Sequence, residues 1–361
     1  MEMKLGDQIS VHLFGESHGY LVGALLSGIP PGIAIDMEIL AKDMAKRKPG
    51  SKLASPRKED DVCEILSGIY EGFTTGWPVL IIIKNSDVKS KDYSFLPNLP
   101  RPGHSDLPSK IKSSGHADLR GGGSYSARLT AGLVAASSVI RPLIEVLGWK
   151  IKAQVIQIGD SKAKSLIELN DFEMSQSMKD TKCMDPEKAE EMVDVINSAK
   201  MEGDSIGSCV ELVIENLPIG VGEPWFEGLE PALSSGLMAI PGARAIEFGR
   251  GVKTTQMKGS EHNDSWSQHQ GKIVQKGEKP DGALGGLSTG APQIIKLHFK
   301  PPSSIRKIQT TLNLKTNEQE SLELEGRHDP VLGPRAVAVV EAVARIILSD
   351  LGVKGGWIPR K

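Results

Sequence analysis

The alternation of apolar and polar positions divides the chain into short extended runs and a few helices. Gln8 to Phe14 and Leu21 to Ile29 read as strands on either side of a tight polar turn, Gly15-Glu16-Ser17-His18-Gly19. Val79 to Ile83 is a β-branched run opened by Pro78 and predicts a further strand. Met37, Leu40 and Met44 recur at helical spacing, so Met37 to Lys46 predicts a helix with Asp36 as its N-cap. Ala127 to Leu147, rich in Ala, Leu, Val and Ile, predicts a second helix. Pro186 to Lys200 predicts an exposed helix, and Trp225 to Met238 another. Ile294 to Phe299 reads as a strand, and Ala336 to Leu348 as a buried helix started by Pro334. Ile151 to Met184 has no clear pattern and reads as a connector.

One stretch resists this division. Lys84 to Ser126 has little periodicity, and aperiodic stretches of that length inside a domain are usually functional or disordered. It carries Arg101, His104, Asp106, His116, Asp118 and Arg120, which favours function. It ends in Arg120-Gly121-Gly122-Gly123, just before the predicted 127–147 helix. A glycine loop running into a helix N-terminus can cradle a phosphate through free N–H groups and the helix dipole.

The second half echoes the first. Gly203-Asp204-Ser205-Ile206-Gly207 resembles the opening turn at an offset of 188 residues, and Pro30 and Gly32 have counterparts in Pro218 and Gly220. A helix follows each copy, and the second is succeeded by a glycine-rich loop region from Gly251 to Gly290. This predicts two related α/β halves, about 1–150 and 190–350, within one unit spanning 1–361. Ile206 stands where the first copy has His18, so the fold tolerates an apolar side chain there, which argues against a structural requirement for His18.

Composition narrows the chemistry. The 361 residues are 39% hydrophobic and 24% charged, which suits one large domain or two medium ones. A net charge of −2 provides no field for nucleic acid or a membrane, and the longest apolar runs fall far short of a membrane span. Cys63, Cys183 and Cys209 are widely separated, which fits a reducing cytoplasm, and the N-terminus has no apolar signal region. No histidine spacing suggests a metal. Lys42 to Lys58 is strongly basic, with Lys42, Lys46, Arg47, Lys48, Lys52, Arg57 and Lys58 against Asp43. A cationic loop in a nearly neutral chain suggests an anionic small molecule. Gly-x-Ser-x-Gly is present in the opening turn, but it lacks the helix that a nucleophile elbow requires. The residues alone suit an anionic substrate together with a phosphate-bearing cofactor.

Three separated segments carry a family resemblance. They are Gly15 to Gly19 with Gly28-Ile29-Pro30-Pro31-Gly32, Arg120 to Gly123 with Ser126-Ala127-Arg128, and Gly326-Arg327-His328-Asp329-Pro330 with Pro334-Arg335. Arg101-Pro102-Gly103-His104 and Gly285-Gly286-Leu287-Ser288-Thr289-Gly290 fit as well, so the chain resembles chorismate synthases from near Gly6 to near Asp350. The resemblance implies conversion of 5-enolpyruvylshikimate 3-phosphate to chorismate and phosphate, with reduced FMN required although there is no net redox change. It implies a β-α-β sandwich, an α/β (α+β) fold of two antiparallel sheets enclosing helices with an internal pseudo-repeat, assembled as a homotetramer.

By resemblance, His18 sits by the leaving phosphate, His104 faces the flavin, and Asp329 assists proton movement with Ser17 and Ser126. Arg47, Arg57, Arg101, Arg128, Arg327 and Arg335 are the implied anion ligands. Ser124, Tyr125, Ser126, Pro241, Gly242, Gly285, Lys300, Pro301, Pro302, Ser303, Ser304 and Arg327 fall on flavin-contacting positions. Ser124-Tyr125 replaces the family's usual Arg-Ser, and Leu53 stands where a further arginine is expected. His116 is the lesser candidate, because it lacks the Arg-Pro-Gly prefix of His104. The length, without large insertions, favours dependence on externally reduced flavin, with self-reduction by NADPH as the other possibility. The competing readings are a flavin-dependent oxidoreductase acting on a phosphorylated substrate and a phospholigand-binding protein without turnover.

Overall fold

A computed structural model describes residues 2–48, 53, 61–86, 93–170, 173–269, 271–277, 280–326 and 328–359. Two five-stranded antiparallel sheets dominate it. The first runs Lys4–Leu5, Ser10–Gly15, Leu21–Ser27, Val79–Lys84, Cys63–Ile65. The second runs Ala243–Phe248, Gln293–Phe299, Ser208–Glu215, Lys150–Ile158, Ser161–Lys162.

Two apolar helices meet both sheets and each other. Thr130–Glu145 packs on the first sheet, Gly333–Lys354 packs on the second, and the two helices pack together. Both are buried along most of their length, which explains their lack of a polar stripe. Small residues let the first helix approach its sheet closely: a Cβ on Gly132 would stand 2.8 Å from the Gly23 carbonyl oxygen. The segment Ala127–Glu145, which contains this first helix, is long and apolar enough to cross a membrane, but it is mostly buried in this core. The two ends of the chain are tied by Asp350, whose Oδ1 accepts from the backbone N–H groups of Asp7, Gln8 and Ile9 at 3.1, 2.5 and 3.0 Å.

The predicted strands 8–14, 21–29, 79–83 and 294–299 and the helix 37–46 are present within a few residues. Asp36 caps that helix, accepting from the N–H groups of Glu38 and Ile39. The 186–200 helix is present but buries Ala189, Met192 and Ile196 on one face. The predicted 225–238 helix is a short 3-10 turn at Trp225–Glu227 followed by Leu229–Met238. The stretch read as a patternless connector begins with strand Lys150–Ile158, and the 251–290 loop region contains a hairpin, Ser265–His269 with Lys272–Lys276. The echo at Gly203 to Gly207 joins a helix to a strand, whereas Gly15 to Gly19 joins two strands.

Candidate functional site

The opening turn ends at the glycine run. Ser17 N–H donates to the Gly123 carbonyl at 3.2 Å, and Ser17 Oγ donates to the Arg120 carbonyl at 3.1 Å. Gly121, Gly122 and Gly123 all hold positive φ, at 60°, 92° and 54°. Side chains rarely adopt such a backbone, and here they would also have no room. A Cβ on Gly121 would lie 2.6 Å from His18 Nε2, and one on Gly122 would lie 3.4 Å from His104 Nε2. The bare backbone of two adjacent glycines therefore separates the two predicted histidines.

Gly121 and His104 line a cavity of about 1000 Å³. Tyr93, Arg101, Ser124, Tyr125 and Ser126 line the same space, as do Pro241, Gly242, Lys300, Pro302, Ser303, Ser304 and Asp329. Leu129, Leu133, Ile240, Leu332 and Val343 supply an apolar wall from the two core helices and their approaches. Ser126 doubles as an N-cap, accepting from Arg128 N–H. Lys300 Nζ donates to the Gly103 carbonyl and, at 2.9 Å, to Ser303 Oγ, so the 300–304 segment is pinned to the loop carrying His104. Burial and the neighbouring Arg244 lower the Lys300 pKa, which describes a paired cationic site without an anion of its own.

His104 sits in a closed network. Its Nδ1 is 2.7 Å from Asp106 Oδ1, and Arg101 Nη2 reaches the same oxygen at 2.7 Å. Burial alone would raise the Asp106 pKa, but hydrogen bonds from Arg101 and His104 outweigh it and hold the carboxyl below its usual range. The Arg101 guanidinium also lies 5.4 Å from the Tyr93 ring centroid, and Tyr93 meets the His18 ring edge-on at 4.9 Å. Asp329 accepts from Arg335 Nη1 at 2.6 Å.

Other predicted residues stand apart from the cavity. Arg47 and Arg128 converge on the buried carboxylate of Asp61, with Arg47 Nη2 2.5 Å from Oδ2. Arg128 Nε donates to Asn85 Oδ1, and Asn85 Nδ2 donates to the carbonyls of Glu16 and Gly19. These arginines thus hold the His18 turn. Gly285 and Pro301 do not line the cavity, and His116 is exposed away from it. Arg57 and Arg327 lie outside the described residues. Leu53, found where the family has an arginine, is buried. Asp61, Asn85 and Arg244 were not singled out from sequence. Arg244 could have been, since it stands two residues beyond Pro241-Gly242.

Asp61 yields a stability prediction. Burial raises its pKa, but the charges of Arg47 and Arg128 prevail and hold it below the ordinary value. Its stabilising contribution is therefore complete above the unfolded carboxylate pKa and is lost as pH falls toward the folded value. Asp61→Ala should cost about 3 kcal/mol at pH 7. Thermal melts should show the gap to wild type narrowing between about pH 5 and pH 3; a gap independent of pH would contradict this role.

Comparison with known proteins identifies the family. A family model described as chorismate synthase matches residues 9–353. The chain is 44% identical to chorismate synthase of Aeropyrum pernix, covering 96% of this chain and 92% of that one. It is 42% identical to that of Pyrococcus abyssi, covering 96% of each. It also superposes on a crystal structure of chorismate synthase with a TM-score of 0.73 and 25% identity, over 97% of this chain and 93% of that one. By family model, sequence relatives and fold, the chain belongs to the chorismate synthase family.

Proposed function

We propose that the cavity beside Gly121 and Gly122 holds reduced FMN and 5-enolpyruvylshikimate 3-phosphate, and that His18 and His104 act there on opposite sides of the glycine backbone. The observation that carries this reading is the wedge: two histidines distant in sequence are brought to one glycine pair at the cavity. The residues suit the cofactor. Lys300 and Arg244 offer cations to its phosphate, Gly242 and Pro241 leave a flat approach, and the apolar wall suits a ring system. When bound, reduced flavin supplies an electron to the substrate and takes up the departing hydrogen.

The chain supplies position, protons and dryness. His18 protonates or stabilises the phosphate as it leaves. His104 presents Nε2 to the cavity as the nitrogen that exchanges a proton there. Arg335 steadies the Asp329 carboxylate, which moves a proton near the cofactor with Ser17 and Ser126 as candidate relays. Arg101, besides serving His104, offers charge to the substrate's anionic groups. Leu129, Leu133 and Leu332 exclude water, which would quench charge development and compete for protons. Arg47 and Arg128 bear on the substrate through the turn they hold.

The same reading treats residues 1–361 as one unit with halves near 1–150 and 190–350. Strand order supports a repeat: 10–15, 21–27, 79–84, 63–65 in one sheet parallels 150–158, 208–215, 293–299, 243–248 in the other, although the 150–158 strand precedes the 190 boundary read from sequence. Ser17 N–H bonds to Gly123 before one core helix, and Ile206 N–H bonds to Pro330 before the other. Helices packed between the two sheets make a β-α-β sandwich. A homotetramer in the cytoplasm, supplied with externally reduced FMN and not reliant on NADPH, completes the proposal.

The test is anaerobic incubation with the substrate and a catalytic amount of reduced FMN. Phosphate and chorismate should appear together, many per flavin. One oxidation per flavin would favour an oxidoreductase, and binding without product would favour a ligand-binding protein; either would overturn the proposal.

A further inference from the structure

Asp106 lies deeper than the residues that face the cavity. Its side chain is 1% exposed, and all of its recorded partners come from the 101–104 loop or its own helix. Oδ2 accepts from Arg101 N–H at 3.0 Å and from Arg101 Nε at 2.8 Å. Oδ1 accepts from Arg101 Nη2 and lies 2.7 Å from His104 Nδ1. A carboxylate offers no proton, so a 2.7 Å contact requires the hydrogen to be on Nδ1. Arg101 Nη2 is also 3.1 Å from Nδ1, but a guanidinium can only donate, and it has the carboxylate to donate to. The opposite edge of the ring, Cε1 and Nε2, faces the Gly122 backbone and the cavity.

We infer that Asp106 is a positioning residue for His104, fixing the proton on Nδ1 so that Nε2 is the nitrogen that exchanges protons with whatever occupies the cavity. The inference rests on the reading that His104 acts at this site. The tautomer of a neutral imidazole follows the hydrogen bond made by its other nitrogen. The other charged or titratable groups lining the cavity are Glu2, Lys4, Tyr93, Tyr125, Arg244, Lys300, His328 and Asp329. Among the described residues, Arg101 and Asp106 reach Nδ1, and of the two only the carboxylate can accept its proton, so Asp106 sets the tautomer. A fixed tautomer also explains why the family-like Arg-Pro-Gly-His segment continues into a buried acid: Arg101 neutralises the carboxylate and holds it against the ring. Misplacing the proton of a buried acid–base histidine can cost several orders of magnitude in turnover.

The experiment is a long-range proton–nitrogen correlation spectrum of the full chain, without cofactor, carrying 15N-histidine. The His104 resonances are assigned by their loss in His104→Gln. In the wild type above the titration of His104, Nδ1 should show the protonated-nitrogen shift and Nε2 the unprotonated one. In Asp106→Asn the side-chain amide can turn its NH2 toward the ring, so the protonated nitrogen should become Nε2. Turnover in that variant should fall roughly 10²-fold with KM for substrate within about threefold. A wild-type proton on Nε2, or an Asp106→Asn spectrum with the wild-type tautomer, would overturn the inference. If Asp106→Asn does not fold, the wild-type spectrum decides by itself. Wild-type turnover in His104→Gln would instead defeat the role given to His104, and the spectrum would still report what Asp106 does to the ring.

Discussion

His104→Ala and His18→Ala should each lower turnover by roughly 10²-fold or more, the usual scale for a lost acid–base group. The two should differ in how they fail. His104 lines the cavity and is locked to Asp106, so its loss removes a cavity-facing proton carrier and loosens Arg101. His18 lies behind Gly121 with its ring against Tyr93, so its loss should leave FMN binding near the wild-type value. Flavin titration and steady-state rates under anaerobic conditions measure both. Wild-type turnover in either variant would remove that histidine from the chemistry.

Gly121→Ala should be almost as damaging, although it touches no titratable atom. Holding alanine in a left-handed conformation costs about 1 kcal/mol. The larger effect is the contact: the new methyl would stand 2.5 Å from His18 Cδ2 and 2.9 Å from Ser17 Oγ. The ring must swing away or the turn must lift from the glycine run. Turnover should therefore fall roughly 10²-fold, in line with a misplacement of about 1 Å at a reacting group. Gly115→Ala is the control, because Gly115 also has positive φ, at 85°, but nothing lies within 4 Å of the added Cβ. That variant should bear only the backbone cost and keep its activity. Equal losses in both would attribute the effect to backbone strain and not to His18.

The sequence was most legible where one physical signal acted alone. Val79 to Ile83 is apolar throughout and mostly β-branched, which marks a strand, and in the structure it is one, with Val79, Ile81 and Ile83 fully buried. The 150–158 strand was missed because Gln154 sits in the middle of it and reads as surface. In the structure Gln154 is fully buried, donating to Glu211 Oε2 at 3.1 Å and to the Lys164 carbonyl at 2.9 Å. Glu211 in turn accepts from Leu166 N–H within another strand that sequence reading left unassigned. Buried polar pairs of this kind disguise core strands, since each residue is polar until its partner is known.

The site divides along similar lines. His18, His104 and the glycine run were visible as motifs, because backbone approach demands glycine at fixed positions. Their juxtaposition was not visible, since Ser17 and Gly123 are joined only by the fold. Arg47 and Arg128 were read as anion ligands from charge. Asp61, which gathers both, follows the basic loop as an ordinary acid in the sequence and becomes informative only when its burial is known.

The central claim is that one cavity, lined by Gly121, His104 and residues of the two core helices, carries both cofactor and substrate. The most direct measurement is a crystal structure of the chain with FMN and 5-enolpyruvylshikimate 3-phosphate bound. The account predicts flavin density inside the cavity, with its ring beside His104 Nε2 and its phosphate near Lys300, and substrate phosphate on the His18 side of the glycine pair. Flavin bound outside that cavity, with His104 remote from it, would contradict the account.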